Sequence, residues 1–393
     1  MNPVIYLDNN ATTAVAPEVR EAMLPYWGEK YGNPSSMHTF GGRLARDVAK
    51  ARSQAAALFN ARDTEVIFTS CGTESDNAAI RGVLEALPDR RHIVTTRVEH
   101  PAVLNLCKHL ENRGYRVTYL PVDAKGRLDL EALKLALTPD TALVSIMYAN
   151  NETGTVFPLA KIAELVKERG LILHTDAVQA AGKLSLDMEA IPADLVSISG
   201  HKLHAPKGVG ALYVRRGTRF VPYLIGGHQE NGRRGGTENM AGIVGLGLAA
   251  ELARLHPEEA AQQAKLRDRL EQGILRAVPY TRVNGDPEHR LPNTTNISFE
   301  YIEGEAILLK LDEAGICASS GSACTSGSLE PSPVLRAMGV PFTAIHGSIR
   351  FSLSRYTTEA EIDRVLSVLP PVIAGLRELS PFWARREASP AKP

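Results

Sequence analysis

Five short apolar runs, rich in branched residues and separated by helical patterns, constrain the fold more than any other feature of this chain. Strands buried in a parallel sheet are typically continuous apolar runs of this kind. Helical patterns such as ESDNAAIRGVLEAL and PLAKIAELVKERG lie between them, and Gly170 closes the second. The alternation predicts an α/β fold with a mainly parallel sheet. The runs are Glu65–Ser70, His92–Arg97, Thr141–Asn150, Leu171–Ala177 and Asp194–Gly200.

The last third of the chain has a different pattern. An Ala-, Leu-, Glu- and Arg-rich stretch from Leu252 to Ala277 predicts one long helix that leaves the first domain. The strand-like segments NTTNISFEY and GSIRFSLS and a final helical segment then predict a smaller α+β domain. We therefore predict an N-terminal segment at 1–15 packing with the small domain, a large domain at 16–255, the small domain at 256–383 and a disordered tail at 384–393.

Charge and hydropathy exclude several classes of protein. Lys plus Arg and Asp plus Glu each total 44, so the formal net charge is zero and the basic excess of a nucleic-acid-binding protein is absent. The sequence contains no apolar run near the roughly 20 residues that span a bilayer. The first residues, MNPVIYLDNNATT, do not resemble a signal peptide, so we expect a cytoplasmic protein without a membrane or nucleic-acid partner.

The four cysteines do not form a C-x-x-C pair, so a zinc site is not expected. Cys71, Cys107 and Cys317 are interpreted as small apolar fillers. Cys324 lies in SSGSACTSGS, whose small polar residues predict an exposed, mobile loop. An accessible thiol in such a loop is a candidate nucleophile, although an incidental surface thiol is the alternative.

Asp176 and Lys202 follow two neighbouring predicted strands. Asp176 could simply cap a following helix, and Lys202 could be an exposed loop lysine, as we expect for Lys207. Together they have a chemical explanation, because pyridoxal phosphate needs a lysine for its Schiff base and an acid facing its ring nitrogen. The pair therefore indicates a pyridoxal-phosphate site.

The phosphate of such a cofactor needs donors at a strand-to-helix junction. Gly72 and Thr73 in TSCGTESDN stand at one, where backbone amides and the helix dipole favour an anion. Ser199 and His201 could add side-chain donors. Thr73 and Asp76 could alternatively form a capping box, and both interpretations can hold at once. His100 in VEHPAV could stack on the ring, although a lone histidine is more often structural.

These segments, with YLDNNATT, ANNETGT, RRGGTEN and IRFSLSRYTTEAEID, resemble class V aminotransferase-type enzymes over residues 6 to about 383. More closely, the chain resembles the group I cysteine desulfurases, the NifS/IscS family, and is nearer the NifS branch that supplies sulfur for nitrogenase clusters. The resemblance implies a pyridoxal-phosphate fold of type I, a homodimer, and conversion of L-cysteine to L-alanine with sulfur transfer to an enzyme thiol.

The resemblance also implies a role for each site residue. Lys202 is the Schiff-base lysine, Asp176 faces the pyridine nitrogen, and His100 stacks on the ring and shuttles protons. The remaining cofactor-binding residues contact the ring hydroxyl or hold the phosphate. They are Gly72, Thr73, Asn151, Gln179, Ser199, His201 and, from the other subunit, Thr237.

For the substrate, the resemblance implies that Arg350 and Asn151 bind L-cysteine, with Arg350 pairing with its carboxylate. Lys202 removes the α-proton, and Cys324 accepts the sulfur as a persulfide. The sulfur then passes to a NifU-like or IscU-like scaffold for iron–sulfur cluster assembly. A resident metal is not expected, although Cys324 is a candidate transient ligand of a nascent cluster.

Three alternatives remain open at this point. A housekeeping desulfurase would share every motif. An aminotransferase, or a lyase such as kynureninase or selenocysteine lyase, would share the scaffold but not Cys324 in its loop. A sulfur carrier or cluster scaffold without chemistry would not need the Asp176 and Lys202 pair.

Overall fold

The computed structural model describes residues 4–320 and 331–385. The strands are β1 (Ile5–Tyr6), β2 (Val66–Thr69), β3 (His92–Thr96), β4 (Arg116–Leu120), β5 (Thr141–Ser145), β6 (Ile172–Asp176), β7 (Leu195–Ser199), β8 (Gly210–Val214), β9 (Thr281–Asn284), β10 (Thr294–Phe299), β11 (Ile316–Cys317), β12 (Ser319–Ser320) and β13 (Ser348–Ser352).

The helices are α1 (Pro17–Met23), α2 (Thr39–Gly42), α3 (Ala45–Leu58), α4 (Gly72–Ala86), α5 (Pro101–Glu111), α6 (Leu130–Ala136), α7 (Leu159–Glu168), α8 (Met240–Leu255), α9 (Glu258–Ala277), α10 (Gly304–Glu313), α11 (Pro333–Ala337), α12 (Phe342–Ile345), α13 (Glu359–Glu378) and α14 (Pro381–Arg385). Within the described ranges, no helix is both long and apolar enough to cross a membrane.

The central sheet has the strand order β2-β8-β7-β6-β5-β3-β4. Strands β3 to β7 pair in parallel, which confirms the predicted α/β class with a mainly parallel sheet. The run at β2 was also predicted to be a parallel strand, and its pairing differs, because β8 lies between β2 and β7 and is antiparallel to both. The chain returns along β8 directly after the turn that follows β7, so β2 forms the edge of the sheet beyond it.

Helices cover both faces of this sheet, and the pleat of each strand divides its side chains between them. In β2, Val66 and Phe68 belong to the core shared with α3 and α8, whereas Ile67 packs with α4 and α5 on the opposite face. Burial on both faces explains why these strands are continuous apolar runs.

The last third of the chain forms a second sheet, with the order β12-β13-β10-β9 and antiparallel pairing throughout. Its core is separate from those of the central sheet and includes Leu270 of α9 and Val365 of α13. Ala384 and Arg385 belong to α14 and therefore to a helix, although the predicted disordered tail begins at 384.

The predicted single helix over Leu252–Ala277 is wrong. The helix α8 ends at Leu255 and α9 begins at Glu258, because Pro257 disfavours helical geometry at His256, whose φ is −121° and ψ is 56°. The two helices contribute to different hydrophobic cores. We keep residue 256 as the proposed boundary between the large and small domains.

The N-terminal segment bridges the two sheets. Its first strand, β1, pairs in parallel with β11. Farther along, Asn9 N donates to Ser352 O at 3.1 Å on β13, and Thr13 N donates to His201 O at 2.9 Å just after β7. The segment therefore contacts the small antiparallel sheet and the end of the large sheet within a few residues.

Candidate active site

A cavity of about 390 Å³ lies at the carboxyl ends of the parallel strands, between the large sheet and β13. This is where open α/β sheets bind ligands. The predicted site residues that line it come from the carboxyl ends of β6 and β7, from the segments that follow β2, β3, β5, β6 and β7, and from β13. They are Gly72, Thr73, His100, Asn151, Asp176, Gln179, Ser199, His201, Lys202 and Arg350.

The first turn of α4 borders one end of the cavity. Its N-cap is Cys71, whose Sγ accepts from Glu74 N at 3.5 Å, so the alternative capping box of Thr73 with Asp76 is wrong. A Cβ added to Gly72 would lie 2.8 Å from Val178 Cγ2, so a larger residue cannot occupy this position without a shift. Thr73 is exposed to the cavity, and α4 therefore presents its amino terminus there.

Asp176 ends β6 and is buried. Its Oδ1 accepts from Val178 N at 2.9 Å in a turn, and no helix follows directly, so the alternative role as a helix cap is wrong. Burial raises the pKa of Asp176, while the charges of His100 and Lys202 oppose that rise. The acid is therefore placed where a cation in the cavity would favour its ionised form.

Lys202 ends the 3₁₀ turn Gly200–Lys202 that follows β7. Its Nζ donates to two backbone carbonyls of the N-terminal segment, those of Asn10 and of Ala11, the second at 2.8 Å. These contacts orient the amine at the cavity wall, whereas Lys207 is exposed, as predicted.

Two histidines flank Lys202. His100 is the N-cap of α5, and its Nδ1 accepts from Ala102 N at 3.1 Å. Burial lowers the pKa of His100, the charge of Asp176 opposes this, and Lys202 lowers the pKa further. His201 Nδ1 lies 3.2 Å from Thr12 Oγ1, and burial lowers its pKa to about 4. The imidazole of His201 is thus held in the neutral form at neutral pH.

Arg350 closes the cavity from the small sheet and is only 2% exposed. Its guanidinium donates to Asp8 Oδ1 at 2.7 Å and to the carbonyl of Asn151 at 3.0 Å. Gln179 Nε2 donates to Asn10 O at 2.9 Å. Two buried polar atoms beside them, Gln179 Oε1 and Ser199 Oγ, have no hydrogen-bond partner among the described residues.

One predicted site residue among those that the structure describes does not line this cavity. Thr237 is exposed and borders a separate space of about 90 Å³ with Ser70 and Arg234. Cys324 lies outside the described residues. Among the described cysteines, Cys107 is fully buried, whereas Cys71 lines the cavity and is not the core filler that the sequence suggested.

Four acids near the site, three of them buried, were not singled out from the sequence for a role in it. Asp8 pairs with Arg350, and Asp76, Glu99 and Glu152 line the cavity. Burial raises the pKa of Glu99 to about 8 and that of Glu152 to about 7. Asp8 stands in YLDNNATT and Glu152 in ANNETGT, so both motifs contained a signal, but only pairing across the fold reveals their partners.

Comparisons with known proteins identify the family of the chain. Residues 5–365 match the family model of class V aminotransferases. A cysteine desulfurase of Trichormus azollae is 67% identical over 380 residues, covering 96% of this chain and 95% of that protein. The cysteine desulfurase NifS of Azotobacter vinelandii is 59% identical over 382 residues, covering 97% and 95%.

A solved structure of a NifS-like protein superposes with a TM-score of 0.89 at 40% identity, covering 95% of this chain and all of that one. This agreement confirms the predicted type I pyridoxal-phosphate fold and the resemblance on which it rests. The chain therefore belongs to the class V aminotransferase family and, within it, to the cysteine desulfurases.

Proposed function

We propose that the cavity binds pyridoxal phosphate and L-cysteine and that the substrate's sulfur passes to Cys324. One observation supports this most strongly: Asp176, Lys202 and the amino terminus of α4 line a single cavity. An acid for a ring nitrogen, an amine for an aldehyde and an anion site for a phosphate are the three features that this cofactor needs. The family to which the chain belongs depends on the same cofactor.

The residues present fit the cofactor. Gly72 adds no side chain to the first turn of α4, where a Cβ would lie 2.8 Å from Val178 Cγ2, and the buried Ser199 Oγ has a hydrogen-bond capacity that the described residues leave unused. Gln179 Oε1 is a second such atom. Buried polar groups are rarely left unpaired in native proteins, so a ligand that pairs with both atoms accounts for them. We assign Ser199, Thr73 and His201 to the phosphate and Gln179 with Asn151 to the ring hydroxyl.

When bound, pyridoxal phosphate supplies an electron sink for the substrate's α-carbon. Asp176 would face its ring nitrogen, where a cation would lower the pKa that burial raises. His100 lies against the ring face. Lys202 Nζ would hold the cofactor through its aldehyde, and the same amine is the base that would take the α-proton of the substrate.

Arg350 binds the substrate carboxylate at the opposite end of the cavity. A planar guanidinium suits a carboxylate, because two parallel N–H donors match its two oxygens. The small sheet carries Arg350 and the large sheet carries Lys202, so the substrate is held between the two domains.

The overall reaction balances without an external oxidant. L-Cysteine and the Cys324 thiol yield L-alanine and a Cys324 persulfide: the carbon–sulfur bond of the substrate breaks, and a sulfur–sulfur bond forms. The Cys324 thiolate is the nucleophile toward the substrate's sulfur, and the substrate's β-carbon gains the hydrogen. We propose that the persulfide sulfur then moves to an acceptor protein.

Mass spectrometry of the holoenzyme after one turnover tests this assignment. Wild-type enzyme and the matched control Cys317→Ala should each gain one sulfur atom, located on the peptide that contains Cys324. Cys324→Ala should still bind the cofactor but should gain no sulfur and release essentially no L-alanine. Sulfur on the Cys71 peptide, or normal alanine release by Cys324→Ala, would contradict the proposal.

We also propose a homodimer in which Thr237 completes the phosphate site of the partner. Thr237 is exposed and does not reach the cavity of its own chain, which supports a role in a second subunit. Co-expression of Lys202→Ala with Thr237→Ala provides a direct test. If Thr237 acts across the interface, the mixed dimer contains one intact site and regains about half of the wild-type activity; if it acts within its own chain, both sites remain defective.

For the acceptor we propose a NifU-like or IscU-like scaffold, and for the pathway, nitrogenase maturation. The 59% identity to NifS of Azotobacter vinelandii supports the pathway, and a housekeeping role is the alternative. A scaffold recovered with the holoenzyme from its native cells distinguishes the two. A reactive catalytic thiol also suits a reducing compartment, so we propose a cytoplasmic location.

A further inference from the structure

The ion pair between Arg350 and Asp8 affects how the substrate carboxylate binds. Arg350 is 2% exposed, and its charge is balanced by Asp8 Oδ1 at 2.7 Å. Asp8 is 19% exposed, so its carboxylate is partly reached by solvent, whereas Arg350 is buried. The guanidinium that is assigned to the substrate carboxylate is therefore already neutralised by a carboxylate of the chain.

The backbone on both sides of Asp8 is fixed to the strand that carries Arg350. Ser352 N donates to Leu7 O at 2.8 Å, and Asn9 N donates to Ser352 O at 3.1 Å. Asn10 N adds a bond of 2.9 Å to Ser352 Oγ. Because Ser352 lies two residues beyond Arg350 on β13, these bonds hold the backbone of Asp8 close to the strand that carries the guanidinium.

The hydrogen bonds of Arg350 leave it able to donate to a second carboxylate. One terminal nitrogen donates to Asn151 O at 3.0 Å, and the other donates to Asp8. Its Nε is buried and has no hydrogen-bond partner among the described residues. Glu152 also acts on Arg350, but burial raises its pKa to about 7, and it accepts the hydroxyl of Ser332. Asp8 is therefore the acid in hydrogen-bond contact with the guanidinium.

From this geometry we propose that Asp8 is a positioning residue that sets how tightly the enzyme holds its amino-acid substrate, by orienting Arg350 while its own charge opposes the substrate carboxylate. The inference rests on the proposed function of Arg350. It goes beyond that function, because it predicts that loss of a residue next to the site strengthens ligand binding. Weakened binding also favours release of L-alanine, which has the same carboxylate.

The experiment compares two amines with the holoenzyme, L-alanine and ethylamine, which is L-alanine without its carboxylate. Binding is measured from the change in visible absorption. Asp8→Asn keeps an oxygen that can accept from Arg350 but removes the charge, so L-alanine should bind about three- to tenfold more tightly, since solvent at the partly exposed Asp8 screens the repulsion that is lost. Ethylamine affinity should not change. Asp8→Glu keeps the charge and should leave both affinities within about twofold of wild type.

Steady-state kinetics give an independent readout. The charge acts equally on bound substrate and on the transition state, so Asp8→Asn should lower KM for L-cysteine and leave kcat nearly unchanged. A purely structural role would instead weaken both amines and lower kcat. Unchanged or weaker L-alanine binding in a folded Asp8→Asn enzyme would overturn the proposal.

Two further variants separate the possible failures. Arg350→Ala should weaken L-alanine but not ethylamine; if it does not, the proposed role of Arg350 is wrong. If Arg350→Ala behaves as expected and Asp8→Asn does not tighten binding, only the present inference fails. Should Asp8→Asn not fold, Asp8→Ser removes the same charge with a smaller acceptor. If neither folds, the pair serves to compensate a buried cation, and the proposal is withdrawn.

Discussion

Glu152→Gln should make the protein more stable at alkaline pH. Glu152 is buried beside the cavity, and its carboxylate accepts the hydroxyl of Ser332, the N-cap of α11. Burial raises its pKa from an ordinary value of 4.5 to about 7, although Ser332 and Arg350 both oppose the rise. The folded protein therefore keeps Glu152 protonated over a pH range in which the unfolded chain ionises it.

The difference between the folded and unfolded pKa of Glu152 determines the sign and size of the effect on the free energy of unfolding. A raised pKa in the folded state contributes stability that is fully present below pH 4.5 and is lost as the pH rises to about 7. One pKa unit corresponds to about 1.4 kcal/mol, so the loss is about 3 kcal/mol. Gln does not ionise and can still accept from Ser332, so the variant avoids the loss.

The assay is denaturant unfolding of wild type and variant at equal concentration, at about pH 5 and about pH 8. The free-energy difference between the two proteins should shift by about 2–3 kcal/mol in favour of Glu152→Gln over that range. Glu305→Gln, which removes the same formal charge from an exposed site on α10, is the matched control. A difference that stays constant with pH, or that favours the wild type at pH 8, would refute the reasoning.

Three further predictions concern the cofactor site. Lys202→Ala should lose the borohydride-sensitive yellow colour and all turnover, whereas Lys207→Ala, an exposed neighbour, should retain both. Asp176→Asn removes the anion that faces the ring nitrogen and should weaken cofactor binding by about tenfold or more, as measured by equilibrium dialysis; unchanged affinity would argue against that assignment. Gly72→Ala brings a Cβ to 2.8 Å from Val178 Cγ2 and should weaken cofactor binding while the far-ultraviolet circular dichroism stays unchanged; normal affinity would show that Val178 yields easily.

The sequence predicts the large sheet well, because strands that are buried on both faces have continuous apolar runs in the sequence. The runs at β3, β5, β6 and β7 are continuous and apolar, and each is fully or almost fully buried. The error at β2 has a physical cause. An antiparallel neighbour and a parallel neighbour bury the same side chains, so the apolar run cannot show which one is present.

The break between α8 and α9 could have been read locally, since Pro257 stands inside the predicted helix. Proline alone does not decide the matter, however, because α13 continues through Pro370 and Pro371. The difference is that α8 and α9 pack into separate cores, whereas both halves of α13 contribute to one. Tertiary packing therefore determines which proline ends a helix.

The site residues that stand at the ends of strands could be predicted from the sequence. Asp176 and Lys202 were identified in this way, and the structure places both on one cavity. Asp8, Asp76, Glu99 and the role of Cys71 were not, because each depends on a partner far away in the sequence or on the depth of burial. The sequence gives the identity of an acid but does not show whether its side chain is solvated, paired with a cation or held neutral.

The bridging N-terminal segment also determines when the site can exist. The side chain of Asn9 binds a carbonyl 343 residues farther along the chain, and the carbonyl of Asn10 accepts from Lys202. During synthesis the amino terminus emerges first, and the large domain can fold before β13 has been made. The N-terminal residues that orient Lys202 and Arg350 therefore reach their final positions only after almost the whole chain has been synthesised. A nascent or truncated chain that lacks β13 can form the large sheet yet cannot assemble the substrate site. The protein therefore becomes active only after β13 has been synthesised.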